Sequence, residues 1–194
     1  MPNDVEPTMV SYQGFDAVRL VLTPDAETPD NPTFARIKDI EFHNGIIEID
    51  VAGRPLPDAF PEARGFIGIA FRIADDLSAF ECMYLRPTNG RAQQQLRRNR
   101  ATQYFSYPDW KFDRLRNKVT GHYETYVDLV TGAWTKMRIE VSGDKAKLFV
   151  HDNEHPNIIV KDLKHGSEMR SGIGLFIDNG TEGFFKNLSV KHSS

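Results

Sequence analysis

The run Gly45-Ile46-Ile47-Glu48-Ile49-Asp50-Val51 puts Ile47, Ile49 and Val51 on one side of an extended chain and Glu48 and Asp50 on the other. The reason is that strand side chains change face at every residue. The segment from Phe66 to Ile73 repeats the device, with Ile67, Ile69, Phe71 and Ile73 inward and Gly68, Ala70 and Arg72 outward. Wound as a helix, either run would scatter its apolar side chains around the axis, so the period of two predicts strands. Similar short runs recur along the chain between clusters of Gly, Pro, Asn and Asp, and no long apolar period of 3.6 residues interrupts them. Further strands are predicted over 17–22, 33–37, 79–86, 101–106, 123–129, 134–141, 146–151, 158–163, 172–178 and 183–191. About a dozen strands do not share one flat sheet without curling, and two stacked antiparallel sheets resolve this. The expected fold is all-β, a jelly-roll sandwich with one curved sheet whose concave face is open to a ligand. Val141 to Ala146 reads as a tight hairpin, with Gly143 supplying the positive φ of the turn.

A chain of 194 residues suits one such domain, residues 1–194, with 1–7 and 192–194 as loose tails. Its 27 acidic and 24 basic side chains leave a net charge of −3, which draws the chain to neither nucleic acid nor an anionic membrane. No apolar stretch reaches the ~18 residues of a spanning helix, and the amino terminus lacks the basic and apolar regions of an export signal. The chain reads as soluble, with its localisation open. The single cysteine, Cys82, excludes an internal disulfide and a zinc cage of several thiolates, and reads as a small buried hydrophobe. Nucleophile-elbow, phosphate-loop and His-Glu-x-x-His patterns are absent, so neither cofactor nor metal is expected.

GIIEIDV (45–51), GFIGIAFRI (65–73), MYLRPTNG (83–90) and the closing GIGLFIDNGTEGFFKNLSV (172–190) together resemble the concanavalin A-like lectin and glucanase group. Within it they are similar to the 3-keto-disaccharide hydrolase-like, laminin-G-like sandwich domain. The resemblance implies sugar recognition more than any one reaction, since this fold carries many activities.

Glu48 and Asp50 resemble the start of the Glu-x-Asp-x-Glu or Glu-x-Asp-x-x-Glu motif of laminarinase-type glucanases, but the third acid would fall at Ala52 or Gly53. Glu124 is the reserve proton donor, provided its strand lies beside 45–51. Two residues apart on a strand means about 6.6 Å of backbone rise, between the separations of retaining and inverting glycosidases. A solvated strand face explains the two acids equally well. The candidate ligand-binding residues are Arg72, Tyr84 and Arg86 on the strands, with Asn99, Gln103, Tyr104 and Trp110 from the long Arg- and Tyr-rich segment 87–118. Arg, Asn and Gln suit sugar hydroxyls, and flat rings suit sugar C–H faces. An ordinary ion pair for Arg72, and packing for the aromatics, are the structural alternatives.

Four other patterns carry less. His122, Glu124, Tyr126 and Asp128 would share a strand face as a base or metal site, although polar alternation is also the look of an exposed strand. Asp178-Asn179-Gly180-Thr181-Glu182 has oxygen ligands for calcium but reads better as a hairpin turn. Arg91, Arg97, Arg98 and Arg100 beside aromatics resemble a single-strand nucleic-acid surface, or else a site for acidic sugars. Pro24, Pro29 and Pro32 stiffen an acidic connecting loop. The partner these readings imply is a glycan or small saccharide, with no nucleic acid and no membrane, and the oligomeric state stays open. Sugar binding leads, with a glycoside hydrolase as its enzymatic alternative and a protein-interaction module if the concave face is filled by the chain's own loop.

Overall fold

The computed structural model describes residues 1–193. Among the described residues, fourteen strands form two antiparallel sheets of seven. In the first sheet the order is β1 (Pro2–Asn3), β4 (Phe34–Arg36), β13 (Gly172–Ile177), β6 (Ile67–Ile73), β7 (Phe80–Leu85), β8 (Thr102–Tyr107) and β9 (Glu124–Thr125). In the second it is β12 (Ile158–Val160), β11 (Lys145–Val150), β10 (Thr135–Ser142), β5 (Gly45–Pro55), β14 (Thr181–His192), β3 (Phe15–Leu22) and β2 (Val5–Tyr12). A 3-10 turn at Pro87–Asn89 and a short helix, α1 (Gln95–Arg98), lie between β7 and β8, and a second short helix, α2 (Phe112–Lys118), lies between β8 and β9. The expected all-β jelly-roll sandwich is the fold.

The β5 side of the core forms where the alternation placed it. Ile47, Ile49 and Val51 of β5 are at most 2% exposed and face the first sheet, while Glu48 and Asp50 lie on the outer face. The sheets meet through Ile67 and Ile177, which approach Gly53 and Gly183 of the second sheet. By alternation Gly68, Ala70, Tyr84, Phe105 and Phe176 occupy the outer face of the first sheet. That face is apolar too, and this explains why β6, β7 and β13 are buried along their whole length. Tyr84 packs against Phe66, Phe105 and Phe176 with ring centroids 5.8–6.1 Å apart. The β3–β4 connection and α2 join above this face, where the Phe112 N–H donates to Asp30 Oδ2 at 2.7 Å.

Several expectations are corrected. Residues 1–7 are not a loose tail: β1 pairs with β4 and β2 with β3, because even edge positions gain ladder hydrogen bonds here. His192 likewise pairs with Gly45 at the end of β14; Ser194 lies outside the described residues. The predicted strand 123–129 contracts to Glu124–Thr125, so His122, Glu124, Tyr126 and Asp128 do not form one strand face: Glu124 is covered by its arginine partners while His122, Tyr126 and Asp128 are exposed. The turn at 178–181 is not a hairpin, because β13 and β14 belong to different sheets and the turn crosses between them. The β10–β11 hairpin forms as predicted, with Gly143 at φ 58°.

Candidate functional site

A cross-strand row organises the outer face of the first sheet. Phe176, Gly68, Tyr84, Gln103 and Glu124 stand opposite one another on β13, β6, β7, β8 and β9. Arg86, two residues beyond Tyr84, returns to the same face and gathers the row's polar end. Its guanidinium donates to the Tyr84 hydroxyl at 2.6 Å, to Gln103 Oε1, to Glu124 Oε1 at 3.2 Å and to the Arg100 carbonyl at 3.2 Å. Glu124 also takes Arg116 at 2.5 Å and lies 3.7 Å from Arg100. Burial works against ionising Glu124, but the Arg116 hydrogen bond and the charges of Arg86, Arg116 and Arg100 outweigh it, so its carboxyl sits below the usual range. Tyr84, wholly buried, has its hydroxyl pushed well above the ordinary phenol range by desolvation and stays neutral.

Above this row a cavity of about 400 Å³ opens between the sheet face, the β3–β4 connection, the segment before β6, and α2. Tyr84 and Arg86 line it, with Asp30 and Asp178, the rings of Phe60, Phe66 and Phe112, and Arg64, Arg97, Arg100 and Arg116. The two aspartates are 0% and 2% exposed, and the Asp30 N–H donates to Asp178 Oδ2 at 2.9 Å. Asp30 Oδ2 accepts from Phe112, whereas its Oδ1 has no partner. Burial, and then the neighbouring Asp178 charge, raise the Asp30 carboxyl to about 7 against the hydrogen bond from Phe112 and the charges of Arg86 and Lys111. Burial raises Asp178 as well. Both carboxyls therefore give up their protons at higher pH than free carboxylates do.

Of the sequence candidates, the structure brings together Tyr84 and Arg86, which line the cavity, and Gln103 and Glu124, which fix Arg86 from behind. The others lie apart. Because β5 and β6 belong to different sheets, Glu48 and Asp50 never face Gly68, Ala70 and Arg72. Glu48 lies between Arg138 and Ser189, and Asp50 between Lys136 and Lys186, on the outer face of the second sheet. A shallow hollow of about 230 Å³ accompanies them there. Glu124 belongs to the opposite sheet, so the arrangement that made it a reserve donor for these acids does not form. Arg72 is the extra residue of a β-bulge, at φ 52°, since Ile73 and Phe71 pair with consecutive residues of β13. Fully buried, it donates to the carbonyls of Gly166 at 2.6 Å, Gly143 at 2.7 Å and His43 at 3.1 Å. It pins loops instead of opening to solvent.

Tyr104 points to the inter-sheet core, where its hydroxyl donates to Glu81 Oε2 at 2.7 Å. Asn99 is exposed and accepts from Gln95, and Trp110 lies under Arg114 and Lys164. Gly68 leaves no hollow on its face, because Tyr84 closes over it. Residues the sequence reading missed at the cavity are Asp30, Asp178, Arg64, Arg116 and the flanking phenylalanines. Traces of them were visible: Asp30 sits in the proline-stiffened loop, Asp178 in the supposed calcium turn, and Arg97 and Arg100 in the basic run.

No protein-family model matches the chain, and no curated protein matches it in sequence. Solved structures do. A Bacillus subtilis protein of unknown function with a galectin-like fold aligns at 12% identity and TM-score 0.56, over 96% of this chain and 87% of that one. The carbohydrate binding module CBM66 from Bacillus subtilis aligns at 10% identity and TM-score 0.54, over 98% and 96%. These likenesses show a shared fold, a two-sheet antiparallel β-sandwich of the jelly-roll kind. Among the described residues no helix is long and apolar enough to cross a membrane.

Proposed function

We propose that this chain binds a small saccharide, or the end of a glycan, in the cavity floored by Tyr84 and Arg86. The observation that carries this reading is a guanidinium held at fixed orientation by Tyr84, Gln103 and Glu124 in a cavity that also presents the rings of Phe60, Phe66 and Phe112. Sugars offer hydroxyls to planar, pre-oriented donors and C–H faces to rings, and a volume of about 400 Å³ is at the small end of ligand sites, ~300–1,000 Å³. The fold likeness to a carbohydrate binding module along nearly the whole of both chains supports it.

Asp30 favours a second reading, a sugar-cleaving enzyme of the 3-keto-disaccharide hydrolase-like kind, because a buried carboxyl with an unpartnered oxygen beside a second carboxyl can serve as a proton donor. Calorimetric titration with mono- and disaccharides tests the binding reading. At least one sugar should bind to the wild type and bind more weakly to Arg86→Lys, which keeps the charge and loses the fork. Binding indifferent to that change, or absent for every sugar, would refute it. Product release from a bound disaccharide, abolished in Asp30→Asn, would favour the enzyme.

A further inference from the structure

The charges around the cavity do not cancel. Five arginines line it (Arg64, Arg86, Arg97, Arg100 and Arg116) against three acids (Asp30, Asp178 and Glu62), although the chain as a whole carries a net charge of −3. Two of the three acids are the buried aspartates, whose environment suppresses their ionisation. Arg86, Arg100 and Arg116 are committed to Glu124. Arg64 and Arg97 have no carboxylate in salt-bridge contact among the described residues.

They are nevertheless held in place, and by neutral groups. Arg64 donates to the carbonyls of Pro61 at 2.7 Å and Ala63 at 3.1 Å. Arg97 donates to Asn89 Oδ1 at 3.2 Å and to the Thr88 carbonyl and hydroxyl at 3.3 Å. Asn89 is itself fixed by donating to the Arg100 carbonyl at 3.0 Å, and it lines the same cavity. Neutral acceptors orient a guanidinium without neutralising it. The repulsion shows: desolvation, then the charge of Arg97, lowers Arg64, and desolvation, then the charge of Arg116, lowers Arg100. Cations assembled in a partly desolvated place, pre-oriented and uncompensated, form a site whose missing element is negative charge.

Building on the saccharide reading, we infer that the ligand is an anionic saccharide, and that its carboxylate, sulfate or phosphate is seated by Arg64 and Arg97 while the ring rests against the phenylalanines and Arg86. A planar carboxylate suits a bidentate fork, and the tetrahedral anions suit several forks at once.

The test is calorimetric titration of the intact chain with glucose, glucuronate, glucose 6-sulfate, glucose 6-phosphate and inorganic sulfate, at about 0.05 and about 0.5 M salt. At least one acidic sugar should bind about tenfold more tightly than glucose, and the advantage should shrink at the higher salt. In Arg64→Gln/Arg97→Gln, acidic and neutral sugars should bind alike. These arginines touch solvent and bond only neutral groups, so an unchanged urea midpoint would show that the fold survives. Which acidic sugar binds best then names the anion. Equal affinity for glucose and all acidic sugars, or an advantage untouched by the double change, would overturn the inference while leaving the saccharide site standing. Binding of inorganic sulfate alone, or of nothing, would remove the saccharide reading and this inference with it.

Discussion

Replacing Asp30 by Asn should flatten the pH dependence of folding stability. The unfolded carboxyl titrates near the ordinary 3.8 and the folded one at about 7, raised by burial and then by Asp178. The folded chain therefore holds a proton that the unfolded chain has released over the window between these values. Stability from this source is fully present below about pH 4 and is lost as pH rises to about 7, at about 1.4 kcal/mol per unit. From pH 5 to pH 8 the wild type should lose about 3 kcal/mol relative to Asp30→Asn, the loss ending near pH 7. Asn can still accept the Phe112 N–H, so the comparison isolates the charge. Urea unfolding of both proteins at pH 5, 6, 7 and 8 measures it, and the contributions of the six histidines cancel in the difference. Parallel stability curves, or a wild type that gains on the variant as pH rises, would refute the account of a proton kept on Asp30 by burial and by Asp178.

Three other substitutions probe the architecture. Arg72→Met should lower stability by about 2–4 kcal/mol in urea unfolding, because three loop carbonyls lose a charged donor. Gly68→Ala should cost about 1–3 kcal/mol and weaken sugar binding together, since an added Cβ would stand 2.6 Å from Tyr84 Cα and push β6 against the strand that carries Tyr84 and Arg86. Glu48→Gln/Asp50→Asn should change stability by less than about 1 kcal/mol and leave the calorimetric titration of any bound sugar unaltered, because both acids lie on the other sheet's outer face. Loss of sugar binding in that double variant would move the site away from the cavity described above.

The period of two in 45–51 and 66–73 was enough to predict strands, the core face of 45–51 and the sandwich that results, because alternation is a local property that pleating converts directly into two faces; it failed at Ile73, which the bulge at Arg72 turns to the face opposite Phe71. The Gly143 turn was legible for the same reason: its positive φ belongs to a few consecutive residues. The first strands were missed because β2 is mostly exposed and carries Pro7, so burial did not write an alternating pattern into it. Tyr84 and Arg86 could be paired from sequence since they stand two apart, Tyr84 within β7 and Arg86 just past its end. Glu48 and Arg72 could not be assigned to one face, since that depends on which strands are neighbours, and pleating says nothing about neighbours.

Residue order alone therefore determined a β-sandwich, its apolar faces and the presence of arginines among aromatics. Only the tertiary structure decided that Arg72 is a buried pin, that Glu48 and Asp50 lie on the opposite sheet from Tyr84, and that Asp30, Asp178 and five arginines converge on one cavity. Side-chain alternation is set by bonds within a strand, whereas a site is set by contacts among β7, α2, the β3–β4 connection and the turn after β13, whose meeting depends on how the sheets are threaded. The same threading removes Asp30 from water and places it beside Asp178, which turns an ordinary acidic residue into a group that keeps its proton near neutral pH.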